Sequence, residues 1–332
     1  MADNDSNQLR KELRRAGLSP AAIDAAWPAW WQDDLSQSPS ARAELRFALA
    51  RKLGLAPKPL LGERVEFVWK DKAKFKHLGT ESDAEREVLS SFGMSVGRLL
   101  TRAAPAGRGF ANISAEDLRD SILRSNEYVD LRNLTQSCWA LGVPVVHLRV
   151  FPLVVKAMHA MVIGEGDVGA IMLGRDASYP ALLAFTLAHE IGHLALGHVA
   201  PGSALVDVED PVKAKEADDE ERAADRYALT LLTGSPQPEI TTEMAHYNHV
   251  MLAASVAQAG PKHRIEPGTL ALCVGHLQHN WPVVMSALGR VYGEPVPIWK
   301  AINSLARGEI DWSALVEDDQ NFIEAILKLG DV

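Results

Sequence analysis

Two cysteines, Cys138 and Cys273, are all that the 332 residues contain. So low a number excludes a disulfide framework and a thiolate-rich zinc site; both residues lie in apolar stretches and read as buried thiols of a reducing compartment. Long apolar runs are missing as well. Nowhere do about eighteen uncharged apolar residues follow one another, and the acidic start Met1-Ala2-Asp3-Asn4-Asp5 leads into no signal-type apolar segment. A cytoplasmic chain with no membrane span is expected. Positive charge is the scarcer sign: 34 Lys and Arg against 43 Asp and Glu leave a formal charge of −9. A chain so biased lacks the overall field of a nucleic-acid binder, so direct nucleic-acid contact is not expected. Aromatic residues are only 6%, yet 47% of the chain is hydrophobic and 23% charged, which excludes disorder and suits a globular protein with one large core or two smaller ones.

Against these absences stands one dense stretch, Phe185 to His198, reading FTLAHEIGHLALGH. It holds an H-E-x-x-H pattern inside an apolar stripe of Leu182, Leu183, Leu187, Ile191 and Leu194 that Ser178-Tyr179-Pro180 introduces as a helix start. Positions i and i+4 share a helix face, so His189 and His193 can offer imidazole nitrogens to one metal ion. Glu190 lies one residue round from His189, where a carboxylate can polarise water beside that ion. The chemistry this spacing predicts is that of a zinc hydrolase.

A catalytic zinc usually takes three protein ligands. In H-E-x-x-H-x-x-G-x-x-H the third is a His six residues after the second, but here that position is Val199 and His198 falls one residue early. The other arrangement takes a Glu from a following helix, and the run from Glu221 to Leu229 fits it. Glu221 and Asp225 are again i and i+4: one carboxylate can bind the metal while the other accepts the N–H of a liganding imidazole. Ala223, Ala224 and Ala228 leave room for two helices to approach.

The pair FTLAHEIGHLALGH and ERAADRYALTLL resembles the ImmA/IrrE family of bacterial metallopeptidases, which share F-T-x-A-H-E-x-G-H and a later E-x-x-A-D/N-x-F/Y-A-x-x-L-L. The likeness covers about residues 125 to 235. It implies Zn2+ held by His189, His193 and Glu221, Glu190 as general base and Asp225 as the partner of a liganding imidazole. It also implies an endopeptidase restricted to a protein substrate such as a transcriptional repressor or antitoxin. A rival reading from another class is a regulatory or interaction protein that keeps the zinc fold with weak, conditional or no cleavage.

The rest of the chain is read as helical flanks to that core. The fold class expected is α+β and mostly helical, with a small antiparallel sheet on the H-E-x-x-H helix. Residues 1–105 form a helical N-terminal region, 110–235 the metallopeptidase core and 236–332 a helical C-terminal region. Trp27, Trp30 and Trp31 pin an early helix to the body. ALARKLGLAPKPLL faintly resembles a helix-turn-helix without completing one. Lys70 to His77 reads as an edge strand leading into a helix, or as a surface segment. Helical periodicity runs over 82–100 and 114–141, and the meander is placed at 145–151, 156–163 and 167–173. Its edge, Lys156 to Met161, is expected to pair with extended substrate. Pro201 to Glu220 reads as a solvated loop or a lid. Further helices are placed at 242–259, 267–277, 282–292, 297–307 and 318–329. His159, His246, His249, His276 and His279 are left as candidates for substrate or oxyanion contact, and Tyr227, about 240° round its helix from Glu221, is expected in the core.

Overall fold

The computed structural model describes residues 3–62, 64–76, 82–154, 158–207, 218–241 and 247–332. It is an α+β, mostly helical protein with one small sheet. Among the described residues no helix is long and apolar enough to cross a membrane.

Two of the N-terminal helices open at the serine caps that the sequence signals, and the first of them ends at Ala26, short of Trp30. α1 (Asp3–Arg15) is followed by α2 (Pro20–Ala26), capped by the Ser19 hydroxyl accepting from the Ala22 N–H. α3 (Pro39–Leu53) is capped by Ser38 and ends at Gly54 with φ 71°, and α4 (Pro57–Leu61) adds one turn. After strand β1 (Ala73–Lys76), Ser82 and Glu85 form a capping box that opens α5 (Asp83–Arg102). The helix expected over 114–141 is two helices, α6 (Ala115–Leu123) and α7 (Leu131–Ala140), because Asp130 and Asn133 form a second capping box within that span.

The sheet comprises β1, β2 (Val145–His147), β3 (Ala160–Glu165), β4 (Val168–Leu173) and β5 (Ala204–Asp207), in the order β1-β5-β3-β4-β2. It is mixed rather than a plain antiparallel meander. β3 runs antiparallel to β4 and β5, with Val162 opposite both Ile171 and Leu205, whereas β2–β4 and β1–β5 are parallel. β3 is therefore central. This corrects the expectation that the stretch ending at Met161 is the sheet edge; of that stretch, residues 156 and 157 lie outside the described residues. The outer strands are β1 and β2. Asn303 closes the β2 side, its Oδ1 accepting from the His147 N–H and its Nδ2 donating to the His147 carbonyl, both at 2.8 Å.

Two layers of helix cover the sheet because alternate residues of each strand face opposite ways. Met161, Ile163, Ala170, Met172 and Val206 join one core with α3, α5 and the later α14 (Glu317–Leu327). Ala160, Val162, Ile171 and Leu173 join a second with α6, α7, α8 (Pro180–Ala195) and α9 (Asp219–Thr233). A Cβ on Gly93 of α5 would stand 1.9 Å from Met161 Sδ, so glycine is what lets α5 lie close on β3. A third core joins α10 (His249–His263), α11 (Pro267–Gln278) and α12 (Trp281–Tyr292) to the start of α8. Residues 242–246 of the helix expected over 242–259 lie outside the described residues. α13 (Ile298–Glu309) carries Asn303.

Charge ties the two ends of the chain together. Lys52 is 1% exposed and donates to the Ala26 carbonyl at 3.0 Å and to Asp318 at 2.7 Å, while the buried Asp319 accepts from Arg51 and Arg102 at 2.9 Å each. Removing one partner of such a pair strands a buried charge, at a cost of about 3–5 kcal/mol. Asp318→Ala is therefore expected to destabilise the protein by about 3 kcal/mol, near the lower end because Asp318 keeps some solvent contact. Urea unfolding checks this; a change under about 0.5 kcal/mol would mean that Lys52 finds other compensation.

Candidate metal centre

α8 and α9 build the site. Pro180 in the first turn of α8 pre-sets the helical φ, and Leu183, Leu187 and Ile191 bury its apolar face. His189 and His193 are then stacked one turn apart. α9 begins where Asp218 Oδ1 accepts the Glu221 N–H at 2.9 Å, and ends at Gly234 with φ 86°. That cap puts Glu221 in the first helical turn, where the helix end itself favours a carboxylate. The helices meet at Gly192: a Cβ there would lie 3.2 Å from Ala224 Cα, Ala224 O and Tyr227 Cβ. With a glycine facing an alanine, the helices come near enough for one short carboxylate to reach both imidazoles.

Three donor atoms converge as a result. His189 Nε2 and His193 Nε2 are 3.0 Å apart; Glu221 Oε2 lies 3.3 Å from the first and Oε1 3.5 Å from the second. All three residues are buried. Donors about 2.0–2.1 Å from a tetrahedral ion stand roughly 3.3 Å from one another, so the residues fit a small divalent cation. The other ring nitrogens are also engaged. His189 Nδ1 is 2.9 Å from Asp225 Oδ1 and His193 Nδ1 is 2.9 Å from His198 Nδ1. With each Nε2 turned to the common centre, each Nδ1 carries the proton and donates it, which fixes the ring orientation.

His198 is one residue early for a ligand, yet it orients one. Gly197 at φ 73° turns the chain and the His198 N–H returns to the His193 carbonyl at 3.0 Å, folding the second ring back beneath the first. The Gly-His pair directly after the helix was the signal for this. Glu190 is 0% exposed, and burial followed by the charge of Asp207 pushes its carboxyl well above the usual range. Asp207, also 0% exposed, ends β5 with Oδ2 4.0 Å from His189 Nε2. The Pro201–Glu220 stretch is thus not all loop; the apolar run Ala204-Leu205-Val206 before Asp207 was its strand signal, and residues 208–217 lie outside the described residues. Lys76 reaches the site from β1, with Nζ 3.1 Å from Glu221 Oε1.

The electrostatics leave one proton between the imidazoles. Burial opposes charge on His189, but its hydrogen bonds to Asp225 and Glu221 prevail and raise its pKa well above the ordinary value. Burial and the neighbouring His189 cation lower His193 to about 2. Burial likewise works against the Glu221 carboxylate, yet the His189 hydrogen bond and the imidazole charges bring its pKa down to about 2.

The other candidates lie elsewhere. Tyr227, 6% exposed, donates to the Ile113 carbonyl at 3.1 Å in the core, as its helical angle implies. His159 anchors backbone, its N–H bonded to the Asp207 carbonyl at 2.8 Å. His249 opens α10, His276 and His279 are exposed at the end of α11, and His246 lies outside the described residues.

Residues 178–277 match the Peptidase U49 family model. The matched stretch is under a third of the chain; it opens at the start of α8 and takes in His189, Glu190, His193, His198, Asp207, Glu221 and Asp225, but not Lys76. It supports a peptidase family, and not by the ImmA/IrrE name that the motif pair resembles. No curated protein and no solved structure matches the chain.

An ion entering the site must displace the His189 proton. Below the raised pKa of His189, affinity is therefore expected to rise by up to about tenfold per pH unit. Calorimetry in buffers of differing ionisation enthalpy should show proton release on ion binding. Affinity independent of pH across neutrality would contradict the assigned protonation.

Proposed function

We propose that the chain is a zinc-dependent endopeptidase acting in the cytoplasm on a protein substrate of the repressor or antitoxin type. The observation that carries the reading is the convergence of two imidazole nitrogens and one carboxylate at 3.0–3.5 Å, with a second buried carboxylate, Glu190, beside them. The peptidase-family match over the same residues supports the reaction class, and the motif pair supports the substrate class.

His189, His193 and Glu221 hold the ion, which when bound supplies Lewis acidity to the scissile carbonyl and to the attacking water. Glu190 takes a proton from that water and passes it to the leaving amine. Burial and the charge of Asp207 raise the pKa of this carboxyl, which strengthens it as a base towards water. Asp225 and His198 keep the liganding rings in the tautomer that turns Nε2 to the ion. Zinc suits a two-histidine, one-carboxylate set of low coordination number.

Glu190→Gln is expected to retain zinc and lose at least about 100-fold in hydrolysis, whereas His193→Ala loses metal and hydrolysis together. Metal analysis beside a peptidase assay separates the two, and a Glu190→Gln variant of full activity would end the proposal. For the substrate, zinc-loaded protein incubated with the product of its neighbouring gene should give one discrete cut that a chelator abolishes. An uncut candidate under conditions where a generic peptide is hydrolysed would exclude that partner.

A further inference from the structure

Strand β1 lies far from the matched peptidase segment in the chain, yet its last residue ends inside the metal centre. The side chain of Lys76 is 8% exposed. Its Nζ lies 2.9 Å from Asp218 Oδ2, 3.0 Å from Glu220 Oε2 and 3.1 Å from Glu221 Oε1. Two of these contacts are hydrogen bonds, to Asp218 and Glu220, and the third is an ion pair with Glu221. The backbone that delivers it is set in register, because β1 runs parallel to β5 with Lys76 paired to Asp207.

A tie between the sheet edge and the start of α9 would need no more than Asp218 and Glu220, both on the solvent side of that helix turn at 58% and 36% side-chain exposure. The contact to Glu221 goes further. Oε1 is the oxygen that faces His193 Nε2 at 3.5 Å, so the ion pair with Lys76 holds the carboxylate whose two oxygens address the two imidazoles. We propose that Lys76 is a positioning residue of the metal centre, holding Glu221 in its liganding orientation; this rests on His189, His193 and Glu221 being the metal ligands.

Two effects of an ammonium beside a metal ligand oppose each other. It holds the carboxylate in place, and it repels a dication. The repulsion is blunted because Asp218 and Glu220 share the same ammonium, Glu220 dividing its charge between Lys76 and Lys74. Take Lys76 away and Asp218 faces Glu221 with like charge, while Oε1 loses the cation beside it and Glu220 keeps Lys74. The positioning effect therefore prevails.

Zn2+ and Co2+ titrations of the full chain test this. Lys76→Met is expected to weaken Zn2+ binding by about 10–100-fold, the usual effect of removing the partner of a metal ligand, and to alter the visible absorption of the Co2+ form. Lys76→Arg, which keeps the cation, should recover most of the loss. A role confined to tying β1 to α9 would lower the unfolding midpoint but leave the cobalt spectrum of the folded protein unchanged. A folded Lys76→Met that binds Zn2+ at wild-type affinity or tighter, with an unchanged cobalt spectrum, overturns the proposal. Should the Met variant not fold, Lys76→Gln, which keeps a hydrogen-bond donor without the charge, carries the same two outcomes. Wild-type protein that binds neither ion overturns the metal assignment and the role of Lys76 with it. Normal wild-type binding alongside an indifferent Lys76 variant overturns the latter alone.

Discussion

The approach of α9 to α8 at Gly192 and Ala224 is the constraint on which the site depends. A carboxylate on a short side chain can meet two imidazoles of a neighbouring helix only if the backbones nearly touch, and side chains larger than glycine and alanine at the crossing would hold them apart. From that contact follow the 3.0–3.5 Å spacing of the three donors and the reach of Asp225, one turn along α9 from Glu221, to the back of His189. The sheet matters to this geometry as a floor. β3 and β4 press their second face against the apolar side of α8, so the histidine face has no freedom to roll.

The centre is also an arrangement of charge that the fold has to sustain. Glu190, Asp207 and Glu221 are all buried within reach of two histidines and one lysine. Burying carboxylates so closely is costly unless cations or protons compensate them. His189 supplies one cation through its raised pKa, Lys76 supplies another, and Glu190 holds a proton more readily than a carboxyl in water. A divalent cation at the three donors answers the same need. Several displaced pKa values in one small volume mark a candidate functional site, and here they fall in the segment that matches a peptidase family.

Around this centre the flanks contribute more than bulk. The N-terminal helices, the first face of the sheet and α14 share one core, and the buried Lys52–Asp318 and Asp319 contacts bind the two ends of the chain to each other. β1 belongs to that assembly, so Lys76 arrives at the candidate site on a strand whose position depends on packing well away from the H-E-x-x-H segment.

Local chemistry was legible in the residues alone. The i, i+4 histidines, the helices over 82–100 and 267–277 and the burial of Tyr227 all follow from rules that act within a turn or two of chain, and the structure keeps them. The family motif extended that reach to Glu221 and Asp225, because helical spacing on a second segment carries the same kind of local information. What stayed hidden was every contact made between segments with no common local pattern. Strand order was one such case: β3 is central because β5, folded from a stretch that reads as polar loop, pairs along its other side. Asp207 and Lys76 were others. Each reads in sequence as an ordinary surface charge, and each is buried at the metal centre because a parallel pairing across 131 residues sets one beside the other, a long-range register that no periodicity encodes.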